Sequence, residues 1–353
     1  MASLLEEIRK RAFEMPCQIG LIDGEDERVI QAASFIKQNS KIEPVLIGNH
    51  ERILNKMEAL NISDVLEMAD PFYSSRIDDY VQLYIQKRLA KGKDVPDRRE
   101  IEEKLRTPSY YATMLLETGQ LDGAVGGAAY STAEILKAGL DVIGLAEDSQ
   151  VVSGSFVMIL KQPLPGGQKA IIFSDCAVIP QPDSSQLASI ALNAVKVARK
   201  VVGLEPRIAL LSFSTLGSAQ HPLLENVKMV KKQITQQYPH LIVEGEIQAD
   251  AAIIPEVAQK KAPHSPLGGL ANILIFPDLN AGNIAYKLVE RLAGAKALGV
   301  ILEGFKKPLN DLSRGCSTED VIDMICVTAL QSNQTEEGFV HGHRHAAGES
   351  AGS

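Results

Sequence analysis

The chain of 353 residues has no tryptophan, few aromatic residues and few cysteines. Because aromatic residues make up only 5% of the chain, its core must be built mainly from Leu, Ile, Val and Ala, as in parallel sheets covered by helices. The four cysteines, Cys17, Cys176, Cys316 and Cys326, have spacings that fit neither a zinc knuckle nor a disulfide framework. These features favour a reducing, cytoplasmic environment.

The sequence also lacks a secretory leader and any apolar run long enough to cross a bilayer, so we expect no membrane partner. Its formal net charge is -8. A duplex-binding protein would usually carry a basic face, and we therefore expect no nucleic-acid partner. Small anionic ligands are not excluded, because a few arginines and helix N-termini can hold a phosphate locally.

Strand-like apolar runs alternate with helical patterns along most of the chain, which predicts an α/β fold with mainly parallel sheets and helices on both faces. A turn at residues 163–168, Pro-Leu-Pro-Gly-Gly-Gln, breaks the alternation and predicts a hairpin at a sheet edge. The predicted strands span residues 18–22, 44–47, 65–68, 123–125, 156–160, 170–173, 208–212, 242–246, 272–276 and 299–302.

The last residues of the chain, 333–353, differ in composition from the rest. They are rich in Gly, Ala, Ser and Glu, and they include His341, His343 and His345. With so little apolar surface the tail is predicted to be disordered. Alternating histidines can bind a metal, but an unstructured terminus is the simpler interpretation, and we assign no metal site.

A polar segment, residues 310–320, lies between the last predicted strand and an apolar helical stretch. This order of strand, loop and helix places the segment at the carboxyl end of a strand, where open α/β sheets bind ligands. The segment carries a hydroxyl in Ser313, a guanidinium in Arg314 and a carboxylate in Asp320. The first two suit an anionic oxygen ligand, and the third can accept a proton.

These residues also have structural interpretations. Asp320 can close a capping box with Ser317, and spacing alone favours that cap. Arg314 can form a weak surface ion pair with Asp311 or Glu319, and the sequence supports both interpretations of Arg314 about equally. The serine hydroxyl can stabilise a turn. A covalent serine mechanism is not indicated, because no histidine lies in the loop.

A second segment, residues 126–132, follows a predicted strand and opens a helix. Its small residues, Gly127 among them, would let the backbone approach an anion, and Ser131 and Thr132 could add hydroxyl donors. The segment matches neither a Walker A motif nor a dinucleotide fingerprint. On its own it is more typical of a tight strand-to-helix turn.

Three blocks together carry a family resemblance: residues 173–178, 276–283 and 308–317, the last reading Pro-Leu-Asn-Asp-Leu-Ser-Arg-Gly-Cys-Ser. In this order they resemble the phosphate acetyl/butyryltransferases, which exchange an acyl group between coenzyme A and inorganic phosphate. The resemblance covers roughly residues 4–332. It implies coenzyme A, acetyl phosphate and phosphate as substrates, with no permanently bound cofactor.

The resemblance implies two three-layer α/β/α domains, like those of isocitrate and isopropylmalate dehydrogenases, with a cleft between them. The first domain would comprise residues 1–145 plus 303–332, and the second residues 146–302. Coenzyme A would enter the cleft against the second domain. A homodimer is expected from the family and cannot be read from composition.

The same resemblance implies roles for individual residues. Asp320 would act as the base on the coenzyme A thiol, while Arg314 and Ser313 would stabilise the developing oxyanion. Lys137 stands where the family commonly has Arg, so it keeps the charge but loses the bidentate fork. The residues assigned to substrate binding are Arg88, Gly127, Ser131, Thr132, Lys137 and Asn310.

An aspartate is a weak base for a thiol. Ordinary pKa values differ by about 4.6 units, or roughly 6 kcal/mol for full proton transfer. We therefore expect burial to raise the pKa of Asp320 and proton removal to be concerted with attack on the carbonyl.

Three alternatives to an acetyltransferase stay open. One is a butyryltransferase with a larger acyl pocket. Another is a two-domain decarboxylating dehydrogenase, which would need a nicotinamide site and a metal-binding carboxylate cluster that we do not find. The third is a non-enzymatic acyltransferase-like module, against which the matched residues Ser313, Arg314 and Asp320 count.

Overall fold

The structure is a computed structural model, and it describes residues 3–333. The rest of the tail, with its three histidines, lies outside the described residues. Within them, strands and helices alternate as the apolar pattern predicts. The strands are β1 (Gln18–Leu21), β2 (Glu43–Ile47), β3 (Glu67–Ala69), β4 (Gly123–Gly126), β5 (Ser153–Ile159), β6 (Ala170–Ser174), β7 (Arg207–Leu211), β8 (Ile242–Ile247), β9 (Ile273–Ile275), β10 (Lys296–Glu303) and β11 (Leu309–Asp311).

Helices connect most of these strands. A π-helical segment (Val197–Val202) directly follows the helix Ser184–Lys196. None of the helices in residues 3–333 combines the length and apolar character needed to span a membrane. The helices are α1 (Leu4–Phe13), α2 (Glu27–Asn39), α3 (His50–Ala59), α4 (Ile77–Ala90), α5 (Arg98–Leu105), α6 (Pro108–Glu117), α7 (Thr132–Val142), α8 (Ser184–Lys196), α9 (Leu223–Gln237), α10 (Ala249–Ile253), α11 (Pro255–Lys261), α12 (Leu279–Ala293) and α13 (Thr318–Ser332).

The first sheet has the order β11-β4-β1-β2-β3, and all its pairings are parallel. Its strands come from two separate parts of the chain, because β11 returns to pair with β4 after the second sheet is complete. The polar residues 310 and 311 lie in this strand, so the predicted loop begins later than expected. The carboxyl ends of β4 and β11 meet at one edge of the sheet, Asp311 opposite Gly126.

The second sheet has the order β10-β5-β6-β9-β7-β8. Strands β6, β9, β7 and β8 are parallel, whereas β5 is antiparallel to both of its neighbours. The predicted hairpin is confirmed as the β5–β6 connection. Its predicted place at the sheet edge is wrong, because β10 adds a further strand beside β5.

Apolar residues on successive strand positions face opposite sides, so each sheet is covered on both faces. In β4, for example, Val125 belongs to the apolar cluster that includes residues of α2 and α13, whereas Ala124 belongs to the cluster that includes residues of α6 and α7. Each of the two apolar clusters includes strands of both sheets. The predicted α/β class with mainly parallel sheets is confirmed, while the division into domains at residues 145 and 303 stays a prediction.

Side-chain capping fixes where several helices begin. Ser131 caps α7 and Ser317 caps α13, each in a capping box with the residue three positions later. Reciprocal caps of this kind satisfy two orphan backbone donors at a helix start. Both helices begin at the same edge of the first sheet, one after β4 and the other after β11.

Candidate active site

A cleft of about 1010 Å³ opens where the two sheets meet. One wall comes from the starts of α7 and α13 and the loop between β11 and α13. The other wall comes from α12 and from β5 and β10 of the second sheet. The first wall contains Tyr130, Ser131, Thr132, Ala133, Asp311, Leu312, Ser313, Arg314, Gly315, Cys316, Asp320 and Met324.

The loop from residue 312 to 316 is held by its backbone. The N–H of Leu312 donates to the carbonyl of Gly126 (2.6 Å), and the N–H of Cys316 donates to the carbonyl of Ser313 (2.9 Å). The guanidinium of Arg28, at the start of α2, donates to the carbonyls of Arg314 (3.0 Å) and Cys316 (2.7 Å). Arg28 therefore holds the loop on the side away from the cleft. No motif in the sequence indicates this role.

Arg314 is exposed in the cleft, and its guanidinium forms no hydrogen bond or ion pair with any of residues 3–333. The surface ion pair considered from the sequence is absent from this part of the chain, because Glu319 pairs with Arg9 (2.6 Å) and Asp311 accepts from Thr132. An unpaired guanidinium at a cleft wall is available to an anion.

Ser313, beside Arg314, also lines the cleft. Its Oγ accepts from the N–H of Gly315 at 3.3 Å, so it stabilises the turn as the structural interpretation predicted. Since a hydroxyl has one donor and two acceptor positions, the hydrogen of Ser313 is still available to a ligand.

Asp320 lines the same cleft and also caps its helix. Its Oδ2 accepts from the N–H (2.9 Å) and the hydroxyl (2.8 Å) of Ser317. Its Oδ1 faces the Lys296 ammonium at 3.5 Å, and Lys296 also pairs with Asp323 at 2.5 Å. A residue of β10 in the second sheet thus sets the charge environment of a residue in α13.

The expectation that burial raises the pKa of Asp320 is wrong in its net effect. Burial does act in that direction, but the hydrogen bonds from Ser317 and the charge of Lys296 outweigh it, and the pKa of Asp320 lies below its ordinary value. Asp320 is therefore ionised at neutral pH. The gap to a thiol widens, so proton transfer must be concerted with bond formation.

The segment after β4 does not present its backbone donors to the cleft. The N–H groups of Gly127, Ala128 and Ala129 donate to the carboxylate of Asp23 at 2.8–3.0 Å. These N–H groups therefore bind a carboxylate of the protein itself rather than a ligand. The predicted substrate contact of Gly127 is wrong for this reason. Glycine is required for a different reason: its φ is +115°, and a Cβ would lie 2.3 Å from an oxygen of Asp311.

Ser131 and Thr132 both line the cleft, and their assignment to substrate binding stays a prediction. Ser131 is engaged in the cap of α7, where its Oγ donates to Glu134 (2.7 Å). Thr132 donates its hydroxyl to Asp311 Oδ2 at 2.5 Å. Each hydroxyl oxygen can still accept from a ligand, but each hydrogen is already used within the protein.

Asn310 does not reach the cleft. Its side chain is fully buried, accepts from the N–H of Leu302 (2.8 Å), and donates to Thr328 (2.8 Å) and Gln331 (2.5 Å). These bonds join β11 to β10 and α13. The predicted role in substrate binding is wrong because every polar atom of the amide is already engaged.

Arg88 and Lys137 lie outside the cleft lining. Arg88 donates to the carbonyl of Asp94 (2.7 Å), in the loop after its own helix, and stacks on Tyr84. The neighbouring Lys91 donates to carbonyls at the carboxyl end of α7. The cleft lies at the amino end of α7, and the two ends of a helix of this length are roughly 15 Å apart. Arg88 therefore lies apart from the cleft that Ser131 lines, and its assignment to substrate binding stays a prediction. Lys137 is exposed on α7.

The second wall supplies groups that the sequence did not indicate. Tyr286, Lys287 and Arg291 of α12 face the cleft, so two cations lie opposite the loop that carries Arg314. Cys316 also lines the cleft, but burial raises the pKa of its thiol, which disfavours a nucleophilic thiolate. Residues 3–333 contain no group of three His, Cys, Asp or Glu side chains placed to hold a metal ion.

Comparison with known proteins gives consistent results. The family model described as phosphate acetyl/butaryl transferase matches residues 3–329. Phosphate acetyltransferase of Clostridium acetobutylicum is 42% identical over 333 residues, which cover 94% of this chain and 99% of that protein.

Two solved structures extend the similarity to the fold. A phosphotransacetylase from Streptococcus pyogenes has a TM-score of 0.86 and 34% identity, covering 93% of this chain and 98% of that one. EutD phosphotransacetylase from Staphylococcus aureus has a TM-score of 0.85 and 35% identity, covering 94% and 100%.

Proposed function

This chain belongs to the phosphate acetyl/butaryl transferase family, and we propose how its cleft carries out the reversible transfer of an acetyl group between coenzyme A and phosphate. The chain is an acyltransferase with phosphate acetyltransferase activity. The observation that carries the assignment of roles is the unpaired guanidinium of Arg314 in the same cleft as the ionised carboxylate of Asp320.

The proposed mechanism is a direct displacement. Asp320 takes the proton of the coenzyme A thiol as the sulfur attacks the carbonyl carbon of acetyl phosphate. The C–O bond to phosphate breaks, and phosphate leaves. Arg314 and Ser313 stabilise the negative charge that develops on the carbonyl oxygen, as preorganised donors do in other acyl transfers. Because the pKa of Asp320 is low, no free thiolate accumulates.

In the proposed mechanism, coenzyme A binds along the second wall of the cleft. Its diphosphate and 3′-phosphate are anionic, and Lys287 and Arg291 provide cations on α12. Its adenine can stack on an aromatic face such as Tyr286, whose ring lies on Phe156 at 4.1 Å. This assignment places the nucleotide against the second sheet and the thiol toward Asp320.

The experiment that tests the proposed function is thioester formation from acetyl phosphate and coenzyme A, followed by absorbance. We expect turnover that depends on both substrates, with kcat/KM for acetyl phosphate above that for butyryl phosphate. A higher kcat/KM for butyryl phosphate would identify a butyryltransferase instead. Absence of thioester, with NAD rather than coenzyme A stabilising the protein thermally, would support the dehydrogenase alternative.

We also propose that the enzyme works as a homodimer. The support is a stripe of exposed apolar residues on α12: Ile284, Leu288 and Leu292 are 58%, 51% and 82% exposed. Residues four apart share one helix face, and contiguous apolar surface of this kind marks interaction sites. A cytoplasmic location is part of the same proposal, and the four unpaired cysteines fit it.

The homodimer is tested by replacing the middle of this stripe. Leu288→Glu should convert a dimer to a monomer in sedimentation or light scattering, because it places charge in a self-complementary apolar contact. Leu89→Glu is the matched control, since Leu89 is 62% exposed on α4, away from the stripe. A monomeric wild type, or dimers in both variants, would contradict the assignment.

A further inference from the structure

Asp311 is a buried carboxyl group at the cleft that has no role in the proposed mechanism. It ends β11, is 3% exposed and lines the cleft beside Thr132. Its Oδ2 accepts the hydroxyl of Thr132 at 2.5 Å. Its Oδ1 is buried and has no hydrogen-bond partner among residues 3–333, and it occupies the space that the missing side chain of Gly127 leaves free. A buried carboxylate with one oxygen unsatisfied is costly.

The surroundings explain why this carboxyl group lacks donors. Asp23, which follows β1, accepts three backbone N–H groups after β4. Those donors are therefore unavailable to Asp311, and the charge of Asp23 acts on Asp311 across the sheet edge. Asp23 thus accepts three backbone donors, whereas the Oδ1 of Asp311 has no hydrogen-bond partner among residues 3–333.

None of the cations among residues 3–333 forms an ion pair with Asp311. Arg28 lies behind the loop, where it is paired with Asp26. On α7, Glu134 is engaged in the helix cap. On α13, Asp320 adds a further negative charge, and it is capped by its own helix start.

On β10, which lies beside β11, the carboxylate of Glu303 accepts from Gln331, and Lys296 is paired with Asp323. Arg314 and Lys287 line the same cleft without an ion pair among residues 3–333, but neither pairs with Asp311. The other charged groups named here are negative or already paired.

These conditions favour the neutral form of Asp311. Burial raises the pKa of Asp311 to about 7, and the charge of Asp23 adds to the rise. The hydrogen bond from Thr132 and the nearby N–H of Leu312 act in the opposite direction. The carboxyl group changes charge in the range in which phosphate esters are dianionic. The protonation state of Asp311 decides which way the hydroxyl hydrogen of Thr132 points, because a hydroxyl has only one hydrogen.

We propose that Asp311 is a positioning residue that couples phosphate binding to its own protonation through Thr132. Neutral Asp311 donates its proton to Thr132 Oγ1, and Thr132 then donates its hydrogen to a phosphoryl oxygen in the cleft. Ionised Asp311 takes that hydrogen back and repels the anion. The inference rests on the proposed function, because it concerns the phosphate side of the same reaction.

The test is the pH dependence of KM for acetyl phosphate, measured from pH 6 to 8.5 in the wild type and in Asp311→Asn. Acetyl phosphate is varied because inorganic phosphate itself titrates near neutrality. In the wild type, KM should rise above pH 7 by up to about 10-fold per pH unit, as expected when only the protonated form binds. In Asp311→Asn, whose amide is neutral and can donate to Thr132, KM should stay low and flat.

Variants of Thr132 separate this coupling from a merely structural role. Thr132→Ser keeps the hydroxyl and should retain the wild-type profile. Thr132→Val removes it, so KM for acetyl phosphate should be about 10-fold higher at pH 6. KM for coenzyme A, measured in the same assays, should show no matching slope in any variant.

The proposal is overturned if Asp311→Asn reproduces the wild-type slope, or if Thr132→Val does not change KM for acetyl phosphate. If Asp311→Asn fails to fold, the Thr132 pair decides alone. Loss of thioester formation in the wild type would instead refute the proposed function, so the two failures can be distinguished.

Discussion

Arg314→Gln is expected to lower kcat by about 10²–10³-fold, the usual loss when one preorganised donor to an oxyanion is removed. Glutamine keeps an amide donor but loses the positive charge and the bidentate geometry. Because the guanidinium forms no hydrogen bond or ion pair with any of residues 3–333 and is exposed in the cleft, the melting temperature should not change. Steady-state rates of thioester formation and thermal unfolding measure the two effects.

Two controls make this prediction specific. Arg314→Lys should recover part of the loss, because it restores charge without the fork. Arg52→Gln removes an exposed arginine on α3 that pairs only weakly, at 3.5 Å, with Glu25, and it should leave kcat unchanged. Wild-type turnover in Arg314→Gln would end the assignment of Arg314 to the reaction.

Asp320→Asn should lower kcat by about 10²–10⁴-fold, the range for loss of a general base. The asparagine oxygen can still accept from the N–H of Ser317, so the cap of α13 should survive with a stability loss near or below ~1 kcal/mol. Wild-type kcat should also persist as the pH falls toward 4. The active form of Asp320 is ionised, and its pKa lies below the ordinary value. A pH–rate profile and thermal unfolding test both statements.

Glu319→Gln is the matched control for Asp320→Asn. It removes a neighbouring carboxylate on the same helical turn, one that pairs with Arg9 rather than facing the cleft. It should retain wild-type kcat. If the two variants lose activity equally, the effect comes from the start of α13 as a whole and Asp320 is not the base.

Much of the fold follows from the sequence because the strands are apolar runs between helical patterns. All ten predicted strands are present, with limits shifted by a few residues. The strand that was missed, β11, is three residues long and contains Asn310 and Asp311. Polar residues in a buried strand interrupt the apolar pattern by which strands are predicted. Their burial depends on hydrogen bonds to residues distant in sequence, here Thr328 and Thr132.

The candidate site was predictable where one continuous segment supplies it. Ser313, Arg314 and Asp320 share a strand-to-helix connection, so their meeting at one cleft follows from local order. Lys296 has no such signal, because it reaches Asp320 from a strand of the other sheet. The pKa of Asp320 was misjudged because the hydrogen bonds of its capping box and the charge of Lys296 together outweigh its burial.

The direct test of the whole account is a crystal structure of the enzyme with coenzyme A bound. We expect the thiol within hydrogen-bond reach of Asp320, about 3–4 Å from its carboxylate to allow for sulfur, with Arg314 beside it and the phosphates on α12. Coenzyme A bound with its sulfur away from the β11–α13 connection would contradict the claim that this junction moves acetyl groups between sulfur and phosphate.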